Sequence, residues 1–370
     1  MKKLLLATAA VMALSASAAQ AEIKLDLGGY FKGYAGYANQ DTAGLREFDI
    51  KRKSQIYFDG ETTLDNGLTV GYHGELYQEN NDVEATGLGV QDGFSQLEES
   101  YLYFSGNWGR FNLGRSNGAA YLLQVAAPGA DSNIDGQDIS ISFYNPTGNY
   151  HQDYKQAGIE TNTGFGNSIA ASQYADKITY LTPKFNGFQA GVSYSPQVDQ
   201  KTVNNNVAGS QSDALGFEDA FDIAARYDGE FSGVGVHVGG GYSFAGQETD
   251  TLANDDYKEW NAGLKLTFEG FGIGGAYNTD NGALDSSGDT DNWTVGVDYT
   301  WGAYVFGASY FDSQADSDDS ELQRYAVGAT YTFGPGMQFR GAVAYYNDDA
   351  PGAAADNDAT VVTIGTDIQF

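Results

Sequence analysis

The chain has no cysteine, so neither a disulfide framework nor a thiolate metal centre can hold it together. Basic residues are scarce, 19 Lys plus Arg against 49 Asp plus Glu, and the net charge is −30. That balance argues against nucleic acid as a partner, because phosphate binding needs a basic surface. Proline is rare, at six residues. Beyond the N-terminal stretch no apolar run is long enough to cross a bilayer as a helix, and the mean hydropathy is −0.39. Histidine is limited to His73, His151 and His237, which are dispersed. No serine stands in a nucleophile-elbow motif, so no catalytic constellation emerges and the chain reads as a non-enzyme.

The N-terminal stretch MKKLLLATAAVMALSASAAQA has the form of a secretory signal peptide. Lys2 and Lys3 supply the positive region, Leu4 to Leu14 the apolar core, and Ala19-Gln20-Ala21 the cleavage signal. Residues 1–21 are therefore expected to be removed, leaving 22–370 as one unit that works outside the cytoplasm.

Glycine, tyrosine and phenylalanine are abundant instead, at 49, 26 and 21 residues. From Glu22 onward, apolar and polar residues alternate in short segments. In IKLDLGGYFKGYAGY, Ile23, Leu25, Leu27, Phe31 and Tyr37 share one parity, while Lys24, Asp26, Tyr30 and Lys32 take the other. Such alternation marks strands with one apolar face. Tight turns such as Asn66-Gly67 and Asn186-Gly187 separate them, alternating with longer loops rich in Asp, Asn, Ser and Gly. In WTVGVDYTW the apolar parity reads Trp293, Val295, Val297, Tyr299, Trp301, aromatic at both ends. Aromatics at both margins of an aliphatic band, with short turns on one side and long loops on the other, describe a barrel in a bilayer. The expected fold is all-β, a sixteen-stranded antiparallel transmembrane β-barrel whose first and last strands pair. DISISFYN (138–145) and the stretch 159–171 could add two strands, for eighteen.

Between Arg115 and Lys177 the alternation fails. A helix-like piece (Tyr121 to Ala127) leads to Pro128-Gly129 and then to acids at Asp131, Asp135, Asp138 and Asp153. A loop this long without clear elements is uncommon and usually functional or disordered. Within it, Asp131-Ser132-Asn133-Ile134-Asp135-Gly136 has the first six positions of an EF-hand loop, with Ser142 where the bidentate Glu would stand. Calcium held by Asp131, Asn133 and Asp135 is accordingly an expectation; no other cofactor is required.

Essentially the whole mature chain resembles the Gram-negative general-diffusion porins, most closely the alphaproteobacterial type. The segments IYFDGETTLDNGLTVGYHGELY, GRFNLGRSNG, ITYLTPKFNGFQAGVSYSP and the terminal IGTDIQF carry the likeness. It implies a homotrimer in outer-membrane lipid and lipopolysaccharide, inserted by the barrel-assembly machinery through the terminal aromatic, Phe370. It also implies that the third loop, residues 116–176, folds into the lumen as an eyelet. There, acids (Asp131, Asp135, Asp138) would face a basic wall supplied by Lys32, Lys51, Lys53, Arg324 and Arg340. Tyr101 departs from the arginine that enteric relatives carry on the fourth strand. Gly29, Gly33 and Ala35 beside Phe31 suggest a flat subunit contact. The implied function is passive diffusion of small hydrophilic solutes and ions, and the acid excess points to cations. Two alternatives remain: a sugar-selective porin using Tyr30, Tyr34, Tyr57, Tyr101 and Tyr103, or a structural or adhesive barrel.

Overall fold

Period-two alternation can bury one face of a strand only if its neighbours present the same face, and in a bilayer the ladder must also close. The computed structural model describes residues 24–42, 44–79, 95–148, 150–152, 154, 175–198, 217–247, 255–282, 288–351 and 357–370; the signal-peptide stretch lies outside them. These segments form one closed antiparallel barrel of sixteen strands. The first quarter comprises β1 (Lys24–Gln40), β2 (Phe48–Thr63), β3 (Thr69–Glu79) and β4 (Ser95–Gly106). Next come the shorter β5 (Gly109–Arg115), β6 (Asp176–Leu181) and β7 (Phe188–Gln197), then β8 (Phe217–Phe231). The second half comprises β9 (Val234–Gln247), β10 (Tyr257–Phe268), β11 (Phe271–Asp280) and β12 (Thr290–Trp301). It ends with β13 (Tyr304–Ala315), β14 (Ser320–Gly334), β15 (Met337–Asp349) and β16 (Ala359–Gln369).

β1 pairs with β16 from Tyr30↔Gln369 to Gln40↔Ala359, and the Gly29 amide donates to the Phe370 carbonyl at 2.9 Å, so the sheet has no free edge. The turns at one end are tight. Asn186 and Gly187 both have positive φ, at 48° and 89°, as the hairpin twist demands.

The barrel is apolar outside and polar within. Leu25, Leu27, Val295, Val297 and Ile364 face outward, while Asn278, Asn292 and Thr294 are buried inside. Aromatic pairs form two bands on the outer surface. Near the long loops stand Trp260–Tyr277 (centroids 4.9 Å) and Trp293–Tyr310 (4.7 Å). Near the short turns stand Phe188–Tyr227 (4.6 Å), Phe271–Tyr299 (4.3 Å) and Tyr304–Tyr331 (4.8 Å). These bands flank the aliphatic zone and mark where the bilayer interfaces fall.

Two details depart from simple alternation. The pairing of β3 with β4 shifts after Glu75↔Glu99, the next pair being Leu76↔Leu97. Glu98 and Glu99 are both buried as a result, while Leu97 and Leu102 on either side both face outward. The stretch 138–145 is not a strand: Ile141, Phe143 and Tyr144 pack singly inside the barrel without a ladder partner. The other stretch considered as an extra strand, 159–171, lies outside the described residues, as does Asp153. The helix-like piece is a single turn, α1 (Ala119–Leu122).

After α1 the chain follows the inner wall, and glycines make room for it. Gly239, Gly263, Gly274, Gly296, Gly307 and Gly328 lie on β9 to β14, one inward position on each of six adjoining strands. A Cβ at Gly263 would overlap the Val125 carbonyl, and one at Gly296 the Pro128 carbonyl. At Gly307 it would come within 2.5 Å of the Ala130 amide nitrogen, and at Gly239 within 2.5 Å of the Leu123 carbonyl oxygen. Backbone can lie directly on backbone only where no side chain intervenes. Gly263→Leu or Gly296→Leu should lift the segment off the wall at a cost of about 1–3 kcal/mol. A lower thermal midpoint and new chymotryptic cuts within residues 118–148 are expected. Gly60→Ala, where nothing lies within 4 Å, should match wild type in both measurements. Unchanged digestion of the leucine variants would show that the glycines do not seat the loop.

Candidate functional site

The site is the lumen, and what shapes it is how the loop from Gly118 to Tyr154 is tied to the wall. It enters beside β7, where the Ala119 amide donates to Ser193 Oγ at 2.8 Å, and passes β8, where Arg226 Nη1 donates to the Gln124 carbonyl at 3.0 Å. On β14, Thr330 Oγ1 donates to the Ala130 carbonyl at 2.6 Å and Arg324 Nη1 to the Gln152 carbonyl at 2.9 Å. The loop then crosses the closure seam. Lys32 Nζ donates to Asn133 Oδ1 and Ser140 Oγ, both at 3.0 Å, and Lys51 Nζ to the Ser142 carbonyl at 2.5 Å. It returns towards β15 and β13: Tyr144 stacks on Tyr346 at 4.2 Å and donates to Asp348, and the His151 amide donates to Ser313 Oγ at 2.9 Å.

The basic residues singled out in the sequence do gather near the loop, but in a different role. Lys32, Lys51, Arg324 and Arg340 contact the loop itself and hold it down. Arg340 pairs with Asp131 at 3.2 Å and with Asp367 at 3.1 Å. Arg324, 1% exposed, lies against the Phe311 and Tyr346 rings and does not stand as a solvated lumen charge. Lys53 is set apart, its ammonium 4.8 Å from the Tyr77 ring centre.

The loop acids are corrected in the same way. Asp131 and Asp135 are 1% and 2% exposed, so they do not line the aperture. Asp131 Oδ1 accepts from the Asn133 amide and from Arg340; Asp135 accepts from the Asp131 amide at 2.7 Å and from Ser309 at 3.1 Å. These bonds close a tight turn and pin it to the wall. Asp138 alone of the three is half-buried. Two of the oxygens expected to hold calcium are already engaged by side-chain cations. Asn133 Oδ1 faces the Lys32 ammonium and Asp131 Oδ1 the Arg340 guanidinium, so a cation on these oxygens would meet two positive charges at hydrogen-bond range.

The lumen face from β1 to β5 is where open functional groups concentrate. Tyr30, Tyr57, His73 and Tyr101 form a file with successive centroids at 6.3, 6.0 and 5.2 Å, and Arg110 lies 3.9 Å over the Tyr103 ring. Asp59 and Glu75 stand on either side of His73, at 2.6 and 3.0 Å. Tyr34 is not in this file; it is buried under the loop, between Asn133 and Asp367. The residues missed in the sequence are the six wall glycines and the Glu98/Glu99 bulge. The glycines did leave a signal, since one recurs in mid-strand from β9 to β14.

Burial pushes the Asp135 carboxyl up to about 7, against the opposing pull of the Asp131 amide and Ser309. The folded chain therefore holds this proton more tightly than the unfolded chain does. The docked loop loses stability as pH rises from the ordinary carboxylate range, about 4, to about 7, and the loss levels off above that. The thermal midpoint is expected to fall across this window relative to Asp135→Asn, which removes the titration. Parallel pH profiles for the two proteins would show that Asp135 is not responsible.

Comparison with known proteins agrees with this architecture. A family model described as Gram-negative porin matches residues 7–351. The chain is 26% identical to the monosaccharide porin of Halomonas sp, over 96% of this chain and 98% of that protein. It is also similar to an outer membrane porin protein of Bordetella pertussis, with 27% identity over 81% of this chain and 72% of the relative. Among solved structures, the anion-selective porin from Comamonas acidovorans matches with a TM-score of 0.62 at 20% identity, over 94% of this chain and 100% of that one. A triple mutant of Rhodopseudomonas blastica porin matches over the same shares with a TM-score of 0.58 at 18% identity. At such identities the structures speak for the fold, and the family match covers most of the chain. The chain belongs to the Gram-negative porin family: it is a β-barrel pore of the outer membrane and not an enzyme.

Proposed function

We propose that the chain is a general diffusion channel for small hydrophilic solutes and ions, narrowed by the lumen loop and preferring cations. The observation that carries the cation preference is the division of the wall. Lys32, Lys51 and Arg340 are engaged by the loop, whereas Asp59, further along the strand that carries Lys51, and Glu75 on the next strand remain half-open. Acid-rich turns at the barrel mouth, with Asp316, Asp318 and Asp319, add a field of the same sign. Salt limits the reach of such mouth charges to about 10 Å at 0.1 M, so the lumen groups dominate at higher ionic strength.

A solute-selective pore is the second reading, favoured by the file Tyr30–Tyr57–His73–Tyr101, whose ring faces suit stacking by sugars. Similarity to a monosaccharide porin supports keeping it. Saturable block of single-channel current by a monosaccharide would favour this reading over general diffusion. We further infer an alphaproteobacterial affinity, supported by 23% identity along the full length of a Rickettsia felis protein. Insertion by the barrel-assembly machinery is inferred from Phe370, whose ring is exposed at the end of the closure strand.

A homotrimer is also proposed. The outward side of β1 has little side-chain relief, because the Phe31 ring lies over Gly33 and the Phe370 ring over Gly29. Such a surface is flat and aromatic, suited to packing against a second wall. Phe31→Lys should dissociate trimers on native gels while leaving heat-modifiable monomer barrels; trimers of normal stability would remove β1 from the interface.

Selectivity is checked by the zero-current potential in a salt gradient. Wild type should favour potassium over chloride, less so as salt rises. Asp59→Asn with Glu75→Gln should move the potential towards the chloride side, and Lys53→Gln should move it the other way. A wild-type channel that already prefers chloride would show that the loop-bound cations govern the field, and would reverse the reading.

A further inference from the structure

On the lumen wall, three potential metal-binding side chains converge from two neighbouring strands. A nitrogen of His73 and one carboxylate oxygen each from Glu75 and Glu99 lie within 4.8 Å of one another. Two features of the fold create this arrangement. Glu75 and Glu99 are directly opposed in the β3–β4 ladder, and the bulge beside them turns Glu98 inward as well. Glu98 accepts from the Gln55 amide, and Glu99 Oε1 accepts from the Asn117 backbone amide at 3.1 Å and from its side chain. Both carboxylates are thus oriented before any ligand arrives.

The imidazole is oriented too. His73 Nδ1 stands 2.6 Å from Asp59 Oδ1, while Nε2 faces Glu75 Oε1 at 3.0 Å. A carboxylate on one ring nitrogen fixes the tautomer that presents the other nitrogen to a metal. With Nδ1–H directed at Asp59, the Nε2 lone pair would face a carboxylate oxygen unless a positive charge lay between them. A proton can supply that charge, but one imidazolium among Asp59, Glu75 and Glu99 leaves the group negative. Of the nearby cations, Lys53 lies over the Tyr77 ring and Arg110 over the Tyr103 ring, while Lys177 on β6 donates to the Ser116 and Ala175 carbonyls and also acts electrostatically on Glu99.

We propose that His73, Glu75 and Glu99 bind one divalent metal ion of the zinc class on the lumen wall, with Asp59 as the positioning residue. One imidazole nitrogen with two carboxylates suits a borderline ion such as zinc, whereas calcium selects oxygen alone. His73 and Glu75 remain partly open to the lumen, with side-chain exposures of 16% and 18%, so the ion can enter from the pore. Once bound, it displaces any proton on His73 Nε2 and leaves a net gain of positive charge on the arc that otherwise carries the open acids. Zinc would then reduce both the current and the cation preference, making permeability responsive to the metal.

Equilibrium dialysis of zinc against the purified detergent-solubilised protein tests the site, with heat-dependent gel mobility confirming that each variant is folded. One zinc ion per chain is expected, resistant to a tenfold excess of calcium. His73→Asn and Glu99→Gln should each abolish tight binding, and Asp59→Asn should weaken it by about tenfold. In planar bilayers, micromolar zinc should lower wild-type current, a chelator should restore it, and His73→Asn should be insensitive. Equal zinc binding by wild type and both ligand variants would place the ion away from this cluster and overturn the proposal, as would no binding by wild type. Conductance without zinc reports on the channel itself, so failure of the metal site and failure of the pore reading are separable.

Discussion

Hydrocarbon offers no water to a stray backbone amide or carbonyl, and this requirement governs everything else in the molecule. The β1–β16 seam, extended by the mutual bonds of Gly29 and Phe370, meets it by removing the last edge of the sheet. Closure also creates the interior. Once the wall is continuous, the inward parity of sixteen strands must be filled, solvated or covered, and the long third loop does the covering along part of the circumference. The absence of cysteine fits the same scheme, because a closed ladder needs no covalent staple.

The loop in turn depends on what the wall leaves out. Six glycines on consecutive strands form a track for the loop, which lies backbone to backbone at Gly239, Gly263, Gly296 and Gly307, and cations on β1, β2, β14 and β15 secure its far part. Steric complementarity positions the first half and charge the second. The buried pair of Asp131 with Arg340 contributes more to placement than to net stability, since desolvation offsets much of the attraction. The lumen consequently has two unlike sides, one where the polar groups are consumed by docking and one where tyrosines, His73 and carboxylates remain open.

That asymmetry has a consequence for permeation. A count of acids and bases near the constriction treats all of them as facing the solute, yet Asp131, Asp135 and Arg324 are sealed between loop and wall. The field felt by a passing ion comes from the residues left over, and on the β2–β5 arc those are Asp59, Glu75 and Arg110 with aromatic neighbours.

The barrel was legible in the sequence because its determinants are local. Alternation in WTVGVDYTW, the Asn186-Gly187 turn and the contrast of short turns with long loops each depend on residues a few positions apart, and together they specify strands and their outward face, while the choice between sixteen and eighteen strands waited on the fold of the loop. The Glu98/Glu99 bulge was not legible, since one extra residue changes the inward parity only relative to a partner strand. The loop was legible as an interruption but not in its bonds. Arg340 and Asp131 are 209 residues apart, and Thr330 and Ala130 are 200 apart. Whether such residues meet depends on the curvature of the closed wall, which no short window encodes. Asp131-Ser132-Asn133-Ile134-Asp135-Gly136 looked like a cation loop by spacing alone. Tertiary structure brought Lys32 and Arg340 to those same oxygens, and a side-chain cation took the place expected for a metal.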